Sequence, residues 1–416
     1  MTRLVVVGAS LAGLRAVQAA RQHGFEGTIT LVGAEEHLPY DRPPLSKAYL
    51  DAAAVPDVML MPEQQLRDGL GVEVMLGAPA TKLDLAAREV TVADRPVPYD
   101  VLVIATGARA RTIPGATAIA GVHTLRCLED AAAVRAALDA GARTVVVGAG
   151  FIGSEVASAA RKRNLDVTVV EAADIPMMPA VGADVGSLLA DLHRREGTDL
   201  RCGVTVKRIY RRKGRVRGVA LSDGSVIDAD LVVVGVGAAP ATEWLAGSGL
   251  ELDDGVLCDE TLAARGADGV YAAGDIARWP NELFGTVMRV EHWTAAAEQG
   301  AAAAGNAVGP GPPTRYVTVP YFWSDWYRHR IQFVGVAGGD EVHLVTVDGR
   351  SESSRAEDQP AGRTVALYRR GDRVVGALTI NGQAVVMKYR ALIARQASWE
   401  EALAFRPVTR QAATVG

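Results

Sequence analysis

Two segments of this chain repeat one order of elements: an apolar strand, a turn of small residues, a helix and a second strand. The first runs from the strand at 4–7 through the turn at 8–13 to a helix at 14–22 and a strand at 28–32. The second has a strand at 143–147, a turn at 148–153, a helix from 154 to about 162 and a strand at 166–170. This order predicts a dinucleotide-binding βαβ unit, in which a pyrophosphate lies against the amides at the helix N-terminus. Two units predict either two bound dinucleotides, or one nucleotide and a decayed duplicate.

The two units differ in their turns and in the acid that follows the second strand. The second turn has an intact glycine pattern at Gly148, Gly150 and Gly153, and Glu171 follows the strand at the position that binds an adenosine ribose diol. Alanines come next, with no arginine nearby to receive a 2′-phosphate, which favours NADH over NADPH. In the first turn Ser10 stands between Gly8 and Gly13, which narrows the site without closing it.

Composition excludes several classes of protein. The 416 residues carry a formal net charge of −4, and no basic run argues for nucleic-acid binding. No apolar stretch reaches membrane-spanning length, and the N-terminus does not resemble a signal peptide. The three cysteines lie far apart, which predicts a reducing cytoplasm and neither a disulfide framework nor a redox dithiol. No metal site is expected.

The rest of the chain predicts an α/β fold of two Rossmann-like domains with a C-terminal α+β domain. A buried strand ends in Ala105-Thr106-Gly107, and the Pro-Gly pair within 113–115 indicates that the chain crosses there into the second unit. A strand hairpin and a buried strand at 230–236 then repeat the pattern at 72–104, so the second unit is predicted to be inserted into the first. The expected boundaries are 1–115 and 242–318 for the first domain, 116–241 for the second, and 319–416 for a C-terminal domain with an antiparallel sheet.

Several motifs resemble one family over essentially the whole chain. The two nucleotide units, the Ala-Thr-Gly turn and Ala273-Gly274-Asp275 resemble the pyridine-nucleotide–disulfide oxidoreductase superfamily. The segments at 38–47 (LPYDRPPLSK), 290–293 (VEHW) and 320–325 (PYFWSD) resemble the ferredoxin reductases that serve bacterial Rieske oxygenases and cytochromes P450. The resemblance implies an FAD-dependent enzyme that takes a hydride from NADH and passes electrons singly to a [2Fe–2S] ferredoxin.

The resemblance also implies positions for both cofactors. The residues that would contact FAD are Gly8, Ser10, Leu11, Ala12, Gly13, Ala34, Glu35, Arg42, Pro43, Lys47, Ala80, Thr106, Gly107, Arg109, Arg126, Asp275, Trp293 and Trp323. NADH would contact Gly148, Gly150, Phe151, Gly153 and Glu171. Lys47 and Glu155 are the expected catalytic pair: the cation raises the flavin's potential and the carboxylate faces the flavin edge. Trp293, Trp323 and Phe151 are equally consistent with buried core positions.

An acidic [2Fe–2S] ferredoxin is the expected partner, and a monomer or weak homodimer the expected state. The candidate cations for its docking are Arg328, Arg330, Lys388 and Arg390. An NADH oxidase, peroxidase or disulfide reductase would require a redox cysteine after the second strand, and that region contains none; Cys127 is a single thiol. A third hypothesis is a flavoprotein like the apoptosis-inducing factors, which binds FAD and NADH without a dedicated ferredoxin.

Overall fold

The computed structural model describes residues 1–116, 118–346 and 364–405, and these residues form two compact units. The first unit comprises Met1–Asp174 and Glu196–Thr318. The second comprises Ile175–Arg195 and the described residues from Val319 onward. Both predicted nucleotide units therefore lie in the first compact unit.

Strands outnumber helices among the described residues. The helices are α1 (Leu11–Gln22), α2 (Ala48–Asp51), α3 (Leu128–Asp139), α4 (Phe151–Lys162), α5 (Met178–Val181), α6 (Ala183–Arg195), α7 (Trp293–Val308), α8 (Gln383–Ala394) and α9 (Trp399–Ala404). The strands as far as the second nucleotide unit are β1 (Arg3–Val7), β2 (Thr28–Val32), β3 (Val72–Met75), β4 (Ala80–Asp84), β5 (Glu89–Val92), β6 (Arg95–Pro98), β7 (Val101–Ile104), β8 (Ala108–Ala110), β9 (Val122–His123), β10 (Thr144–Val147), β11 (Val167–Val170) and β12 (Asp199–Arg201). Those that follow are β13 (Val206–Arg212), β14 (Arg215–Leu221), β15 (Val226–Asp228), β16 (Leu231–Val234), β17 (Ala238–Pro240), β18 (Val256–Leu257), β19 (Val270–Ala272), β20 (Ala277–Asn281), β21 (Thr286–Met288), β22 (Tyr321–Trp326), β23 (His329–Gly335), β24 (Glu341–Thr346), β25 (Thr364–Arg370) and β26 (Arg373–Ile380).

The first sheet has the order β19-β7-β1-β2-β3, and its strands run parallel. Its central strands are apolar and buried on both faces, as a parallel sheet covered by helices requires. Val7 pairs with Val32 and with Ile104, so the glycine turn, the Ala-Thr-Gly turn and the turn after β19 leave the sheet at one edge. This carboxyl edge is where doubly wound sheets bind ligands.

The second sheet, in the order β12-β11-β10-β16-β9, repeats this construction. Val147 pairs with Val170 and Val234, which brings the second glycine turn and Glu171 to one edge. A three-stranded antiparallel sheet accompanies each parallel sheet, β4-β5-β6 in the first case and β13-β14-β15 in the second. The predicted repeat of strands and hairpin is confirmed, and Asp223-Gly224 lies at the turn between β14 and β15.

The second compact unit is built on the antiparallel sheet β22-β23-β26-β25-β24, with α8 packed on β26 and β23. This confirms the predicted α+β class of the C-terminal residues. Helices α5 and α6, which follow the second nucleotide unit in sequence, are grouped with this sheet by their contacts. The Tyr368 hydroxyl donates to the Val181 carbonyl over 2.6 Å, and buried His193 hydrogen-bonds to Tyr327 over 2.6 Å.

The segment after β2 contains two consecutive prolines, Pro43 and Pro44, and Pro43–Ser46 forms a 3₁₀ turn. Proline is compatible with the first helical positions because the N–H that it lacks has no intrahelical acceptor there. The 3₁₀ turn leads directly into α2 and orients Lys47.

Candidate functional site

The first glycine turn joins β1 to the N-terminus of α1. Gly8 has φ +124°, and a Cβ atom there would lie 2.0 Å from the Ala105 carbonyl oxygen. A Cβ at Gly13 would lie 1.9 Å from the Gly8 carbonyl oxygen, so both glycines are required for the close packing of strand, turn and helix. Ser10 is the N-cap residue in an extended conformation and makes no side-chain cap hydrogen bond, while Leu11 and Ala12 begin the helix.

The second turn has the same construction. Gly148 has φ +101°, its Cβ would lie 2.4 Å from the Gly235 carbonyl oxygen, and a Cβ at Gly153 would lie 2.3 Å from the Gly148 carbonyl oxygen. Gly150 is the N-cap residue, and a Cβ there would meet only the Gly235 oxygen at 3.8 Å. Gly150 occupies the position of Ser10, which explains why the first turn accepts a serine. Phe151 is half-buried at the first position of α4.

The donors of both turns fit the diphosphate of a dinucleotide. The first amides of a helix have no intrahelical acceptor, and the helix dipole favours an anion beside them. Neither α1 nor α4 has an acidic residue in its first turn that would repel such an anion. The glycines leave the backbone accessible at close range. Both turns therefore suit a dinucleotide by packing and by charge.

Glu171 follows β11 directly and turns its carboxylate toward the second glycine turn. One oxygen accepts from the Ala149 amide over 2.8 Å and the other from the Ala173 amide over 2.9 Å. Each carboxylate oxygen retains a second lone pair for a ribose hydroxyl. The carboxylate thus holds the turn in place and retains acceptor capacity for the ribose diol that the sequence predicts there.

The corresponding residue of the first unit is Gly33, which follows Val32. A Cβ atom at Gly33 would lie 2.7 Å from the Ala9 Cβ atom and 3.0 Å from Leu76. The acid is therefore displaced to Glu35, and Ala34 between them is exposed. The neighbouring strand β4 begins at half-buried Ala80, and the amides of Gly77 and Ala78 donate to the carbonyls of Glu35 and Gly33 over 2.9 Å each. This brings predicted residues Ala34, Glu35 and Ala80 into one region.

The Glu35 carboxylate is held by two side chains of the following segment. Arg42 donates to one oxygen and the Tyr40 hydroxyl to the other, each over 2.5 Å. Arg42 also donates to the Arg126 carbonyl over 2.7 Å. Burial raises the pKa of the Tyr40 phenol well above its usual range. Arg42 is therefore fixed beside the first nucleotide unit with its charge balanced by Glu35.

Lys47 and Glu155 form an ion pair between the two nucleotide units. Their Nζ and Oε1 atoms are 2.8 Å apart, and the side chains are 18% and 3% exposed. The Ser46 hydroxyl donates to the other oxygen of Glu155. Pro43 contributes its carbonyl, 3.4 Å from the Lys47 ammonium. Segment 43–47 thus joins the loop after the first unit to the helix that begins the second.

Trp293 contacts the same segment through Asp41. Its indole N–H donates to an Asp41 carboxylate oxygen over 2.6 Å. Burial raises the pKa of Asp41, and the Trp293 hydrogen bond and the Lys47 charge oppose that effect. Sequence analysis missed the roles of Asp41 and Ser46, although both lie within the segment at 38–47 that carried the resemblance.

The remaining predicted residues of the first sheet lie along its carboxyl edge. Arg126 forms an ion pair with Asp275 at 2.8 Å, and a Cβ atom at Gly107 would lie 3.7 Å from the Arg126 guanidinium. The Thr106 hydroxyl donates to the Ala241 carbonyl over 3.1 Å. Arg109 instead lies at the surface, where it pairs with exposed Glu243.

Trp323 lies in the second compact unit, on β22. It is half-buried and stacks on Tyr321 with ring centroids 5.8 Å apart, and the Arg330 guanidinium lies 5.8 Å from its centroid. Trp326, the last residue of the same strand, is fully buried and packs on His193, with 4.9 Å between ring centroids. Trp326 and Tyr327 are thus core residues of that unit.

Three further observations concern the Cys127 thiol, metal binding and membrane spanning. Cys127 is the N-cap residue of α3, and burial raises the pKa of its thiol to about 11. Within the described residues, no three His, Cys, Asp or Glu side chains are grouped to hold a metal ion. Across the same residues, no helix combines the length and apolar character needed to span a membrane.

Two family models match different parts of this chain. Residues 2–300 match the pyridine nucleotide-disulphide oxidoreductase family, and residues 321–411 match the reductase C-terminal family. Rhodocoxin reductase of Rhodococcus erythropolis is 39% identical over 82% of this chain and 80% of its own. The ferredoxin–NAD(+) reductase component of the biphenyl dioxygenase system of Paraburkholderia xenovorans is 36% identical over 90% and 89%.

Among solved structures, the covalent putidaredoxin reductase–putidaredoxin complex contains a chain that superposes with a TM-score of 0.88, at 31% identity over 97% of this chain and 95% of that one. The family match covers well over half of the residues, and the relatives are aligned over most of their length. The chain belongs to the pyridine nucleotide-disulphide oxidoreductase family.

Proposed function

We propose that this protein is an FAD-dependent NADH:ferredoxin reductase. In the net reaction, one NADH gives a hydride, which carries two electrons, and leaves as NAD⁺. Two [2Fe–2S] ferredoxins each take one electron, and one proton is released. Bound FAD supplies the exchange between the two-electron donor and the one-electron acceptors. The three relatives carry reductase names, and two of those names specify a ferredoxin or putidaredoxin.

The observation that carries the proposal is the Lys47–Glu155 pair. It joins the segment after the first nucleotide unit to the first turns of α4, at the second. Hydride transfer requires the two reacting rings to be held at near-contact distance with water excluded. A buried ion pair between two nucleotide units would supply a fixed charge beside the reacting rings. Lys47 would stabilise negative charge on the reduced ring, and Glu155 would hold Lys47 in position.

The first unit would hold FAD. The amides of the turn at 8–13 would bind its pyrophosphate, Ala34, Glu35 and Ala80 would lie at the adenosine, and Asp275 would bind the ribityl chain. Within the first compact unit, Trp293 would lie at the ring, and the remaining contacts would come from Arg42, Pro43, Lys47, Thr106, Gly107, Arg109 and Arg126. Because Glu35 is already held by Arg42 and Tyr40, its role is to fix this loop as well as to accept from a ribose hydroxyl.

The second unit would hold NADH. The turn at 148–153 would bind its pyrophosphate, Phe151 would act as a gate for the nicotinamide, and Glu171 would accept from the ribose diol. A 2′-phosphate would face the Glu171 carboxylate, and like charges repel. The proposed coenzyme is therefore NADH rather than NADPH. The corresponding domains are 1–115 with 242–318 for FAD, 116–241 for NADH and 319–416 for the C-terminal domain.

The proposed partner is acidic, and the protein is proposed to act in the cytoplasm as a monomer or weak homodimer. Of the candidate docking cations, Arg330 pairs with Asp325 at 3.2 Å, Arg390 donates to the Val319 carbonyl, and Lys388 lies 5.5 Å from the Phe405 ring. Arg328 is exposed. These cations are thus largely engaged within their own unit, so docking would depend on shape as well as on charge.

The test is rapid-mixing kinetics on the FAD-loaded protein. NADH should bleach the flavin absorbance faster than NADPH at equal concentration, and an added [2Fe–2S] ferredoxin should reoxidise it faster than oxygen does. If no ferredoxin exceeds oxygen, the flavoprotein without a dedicated ferredoxin is the better description. Protein that binds no FAD would refute the proposal entirely.

A further inference from the structure

Helix α7 crosses α1 at the first nucleotide turn through small residues. A Cβ atom at Gly300 would lie 2.2 Å from the Ala12 carbonyl oxygen, so the two helices are in contact there. One long polar side chain, Gln299, is buried at this crossing with no exposed surface. A glutamine among alanines and glycines in such a place requires a reason, because a buried amide must find hydrogen-bond partners.

One half of the Gln299 carboxamide has a partner. Its Oε1 atom accepts from the Gly274 amide over 2.8 Å. Gly274 has φ +80°, and a Cβ atom there would lie 3.1 Å from the Ala12 Cβ atom. Gly274 directly precedes Asp275, which pairs with Arg126. The acceptor therefore fixes the Asp275 turn against the first turn of α1.

The other half is unpartnered within the described part of the chain. The Gln299 Nε2 atom is buried and has no acceptor among the residues that the structure describes. The orientation is not ambiguous, because an amide N–H can donate only to the oxygen of the carboxamide. A buried donor left without an acceptor destabilises the folded state. Replacement by an apolar residue would remove that cost, unless the donor serves a group that binds later.

We propose that Gln299 is a positioning residue for FAD. Its Nε2 atom donates to an acceptor oxygen that arrives with the dinucleotide. The acceptor is an oxygen of the dinucleotide or of a water held by it. The inference rests on the proposed function, since it requires FAD in the first unit. Gln299 couples that acceptor to the Asp275 turn through a single planar group, so the turn and the bound dinucleotide hold each other in place.

Gln299→Glu is the decisive variant, because it keeps the oxygen that accepts from the Gly274 amide and replaces the amide N–H₂ donor with a second carboxyl oxygen. When the new carboxyl is protonated it restores a donor, and when it is ionised it brings a negative charge toward the dinucleotide. The apoprotein of this variant should bind FAD with nearly the wild-type Kd at pH 5.5 and at least tenfold more weakly at pH 8, relative to wild type at each pH. Flavin fluorescence quenching measures both Kd values.

Gln299→Met removes both halves and should weaken FAD binding about fivefold, the effect of about one hydrogen bond. Thr379→Val is the matched control: Thr379 is also fully buried, with a hydroxyl that has no partner among the described residues, but it lies on β26 of the second compact unit. Its Kd for FAD should equal that of wild type. Thermal unfolding of the apo and FAD-loaded forms of Gln299→Met separates a structural role from a role in FAD binding. If Gln299 were purely structural, the substitution would lower both midpoints equally.

The inference is overturned if Gln299→Glu binds FAD like wild type at both pH values. It is also overturned if Gln299→Met keeps the wild-type Kd, a measurement that stands even when the glutamate variant fails to fold. Wild-type protein that binds no FAD would refute the proposed function instead, so the two failures are distinguishable.

Discussion

Replacing Lys47 with methionine should destabilise the first compact unit by about 3 kcal/mol, because removal of one partner of a buried ion pair leaves the other uncompensated. The charges are 2.8 Å apart and Glu155 is 3% exposed. At an effective dielectric constant of about 20 their attraction is about 6 kcal/mol, and the desolvation of both groups offsets much of it. In the variant the Ser46 hydroxyl still donates to the Glu155 carboxylate, but the cation is gone.

A double variant separates stability from function. In Lys47→Met/Glu155→Gln no charge is left buried, and the glutamine retains an acceptor for the Ser46 hydroxyl. Its free energy of unfolding should recover to within about 1 kcal/mol of wild type, since an uncharged replacement of a buried pair is often neutral. Its flavin should nevertheless be reduced by NADH at least tenfold more slowly than that of wild type, because the fixed cation is gone.

The assays are urea unfolding followed by circular dichroism, and anaerobic rapid mixing with NADH. A loss below about 1 kcal/mol for Lys47→Met would mean that the pair behaves as a solvated surface salt bridge. A double variant that is reduced as fast as wild type would remove Lys47 and Glu155 from the catalytic mechanism, whatever their effect on stability.

Three further outcomes are expected. Gly153→Ala should impair NADH binding and folding of the second nucleotide unit, because its Cβ would lie 2.3 Å from the Gly148 carbonyl oxygen. Gly150→Ala should fold like wild type, because its Cβ would lie 3.8 Å from the nearest atom. Equal unfolding midpoints for the two variants would contradict this. Burial lowers the pKa of His193 to about 4. The unfolded chain therefore binds more protons than the folded chain between about pH 6.5 and 4, and the free energy of unfolding falls as the pH falls. In urea titrations between about pH 7 and 5, wild type should lose about 2 kcal/mol more of this free energy than His193→Gln does. Equal losses in the two proteins would disprove the prediction. Because the thiol pKa is raised, Cys127→Ser should retain ferredoxin reduction, and iodoacetamide should label the wild-type thiol slowly at about pH 8; an inactive serine variant would revive the thiol-dependent alternative.

The elements that sequence could predict are those set by local patterns. The two glycine turns, the strands on either side and Glu171 follow from residue type and spacing, and so do the strands of the C-terminal sheet, such as β24 and β26. Helix starts were less accurate: α1 and α4 begin three residues earlier than expected, at Leu11 and Phe151. Glycines and small residues at helix N-termini carry little periodicity, so the pattern begins later than the helix does.

The side-chain pairs of the candidate site were only partly predictable. Trp293 and Asp41 are 252 residues apart in sequence, and Ser46 and Glu155 are 109 apart. No local pattern relates such residues; only the packing of α7 and α4 against the segment at 38–47 does so. For the same reason α5 and α6, which follow Glu171 in the chain, gave no sign that they pack with the C-terminal sheet. The residue assignments for FAD and NADH stay predictions.

The contrast between Gly33 and Glu171 bears on attempts to redesign coenzyme preference. Position 171 tolerates a long side chain, whereas at position 33 even a methyl group would overlap Ala9. The pockets are therefore not interchangeable by exchanging their acids, although both positions directly follow the second strand of a nucleotide unit. Laboratory evolution toward NADPH should accumulate changes around residues 171–173 and leave the residues around Gly33 unchanged.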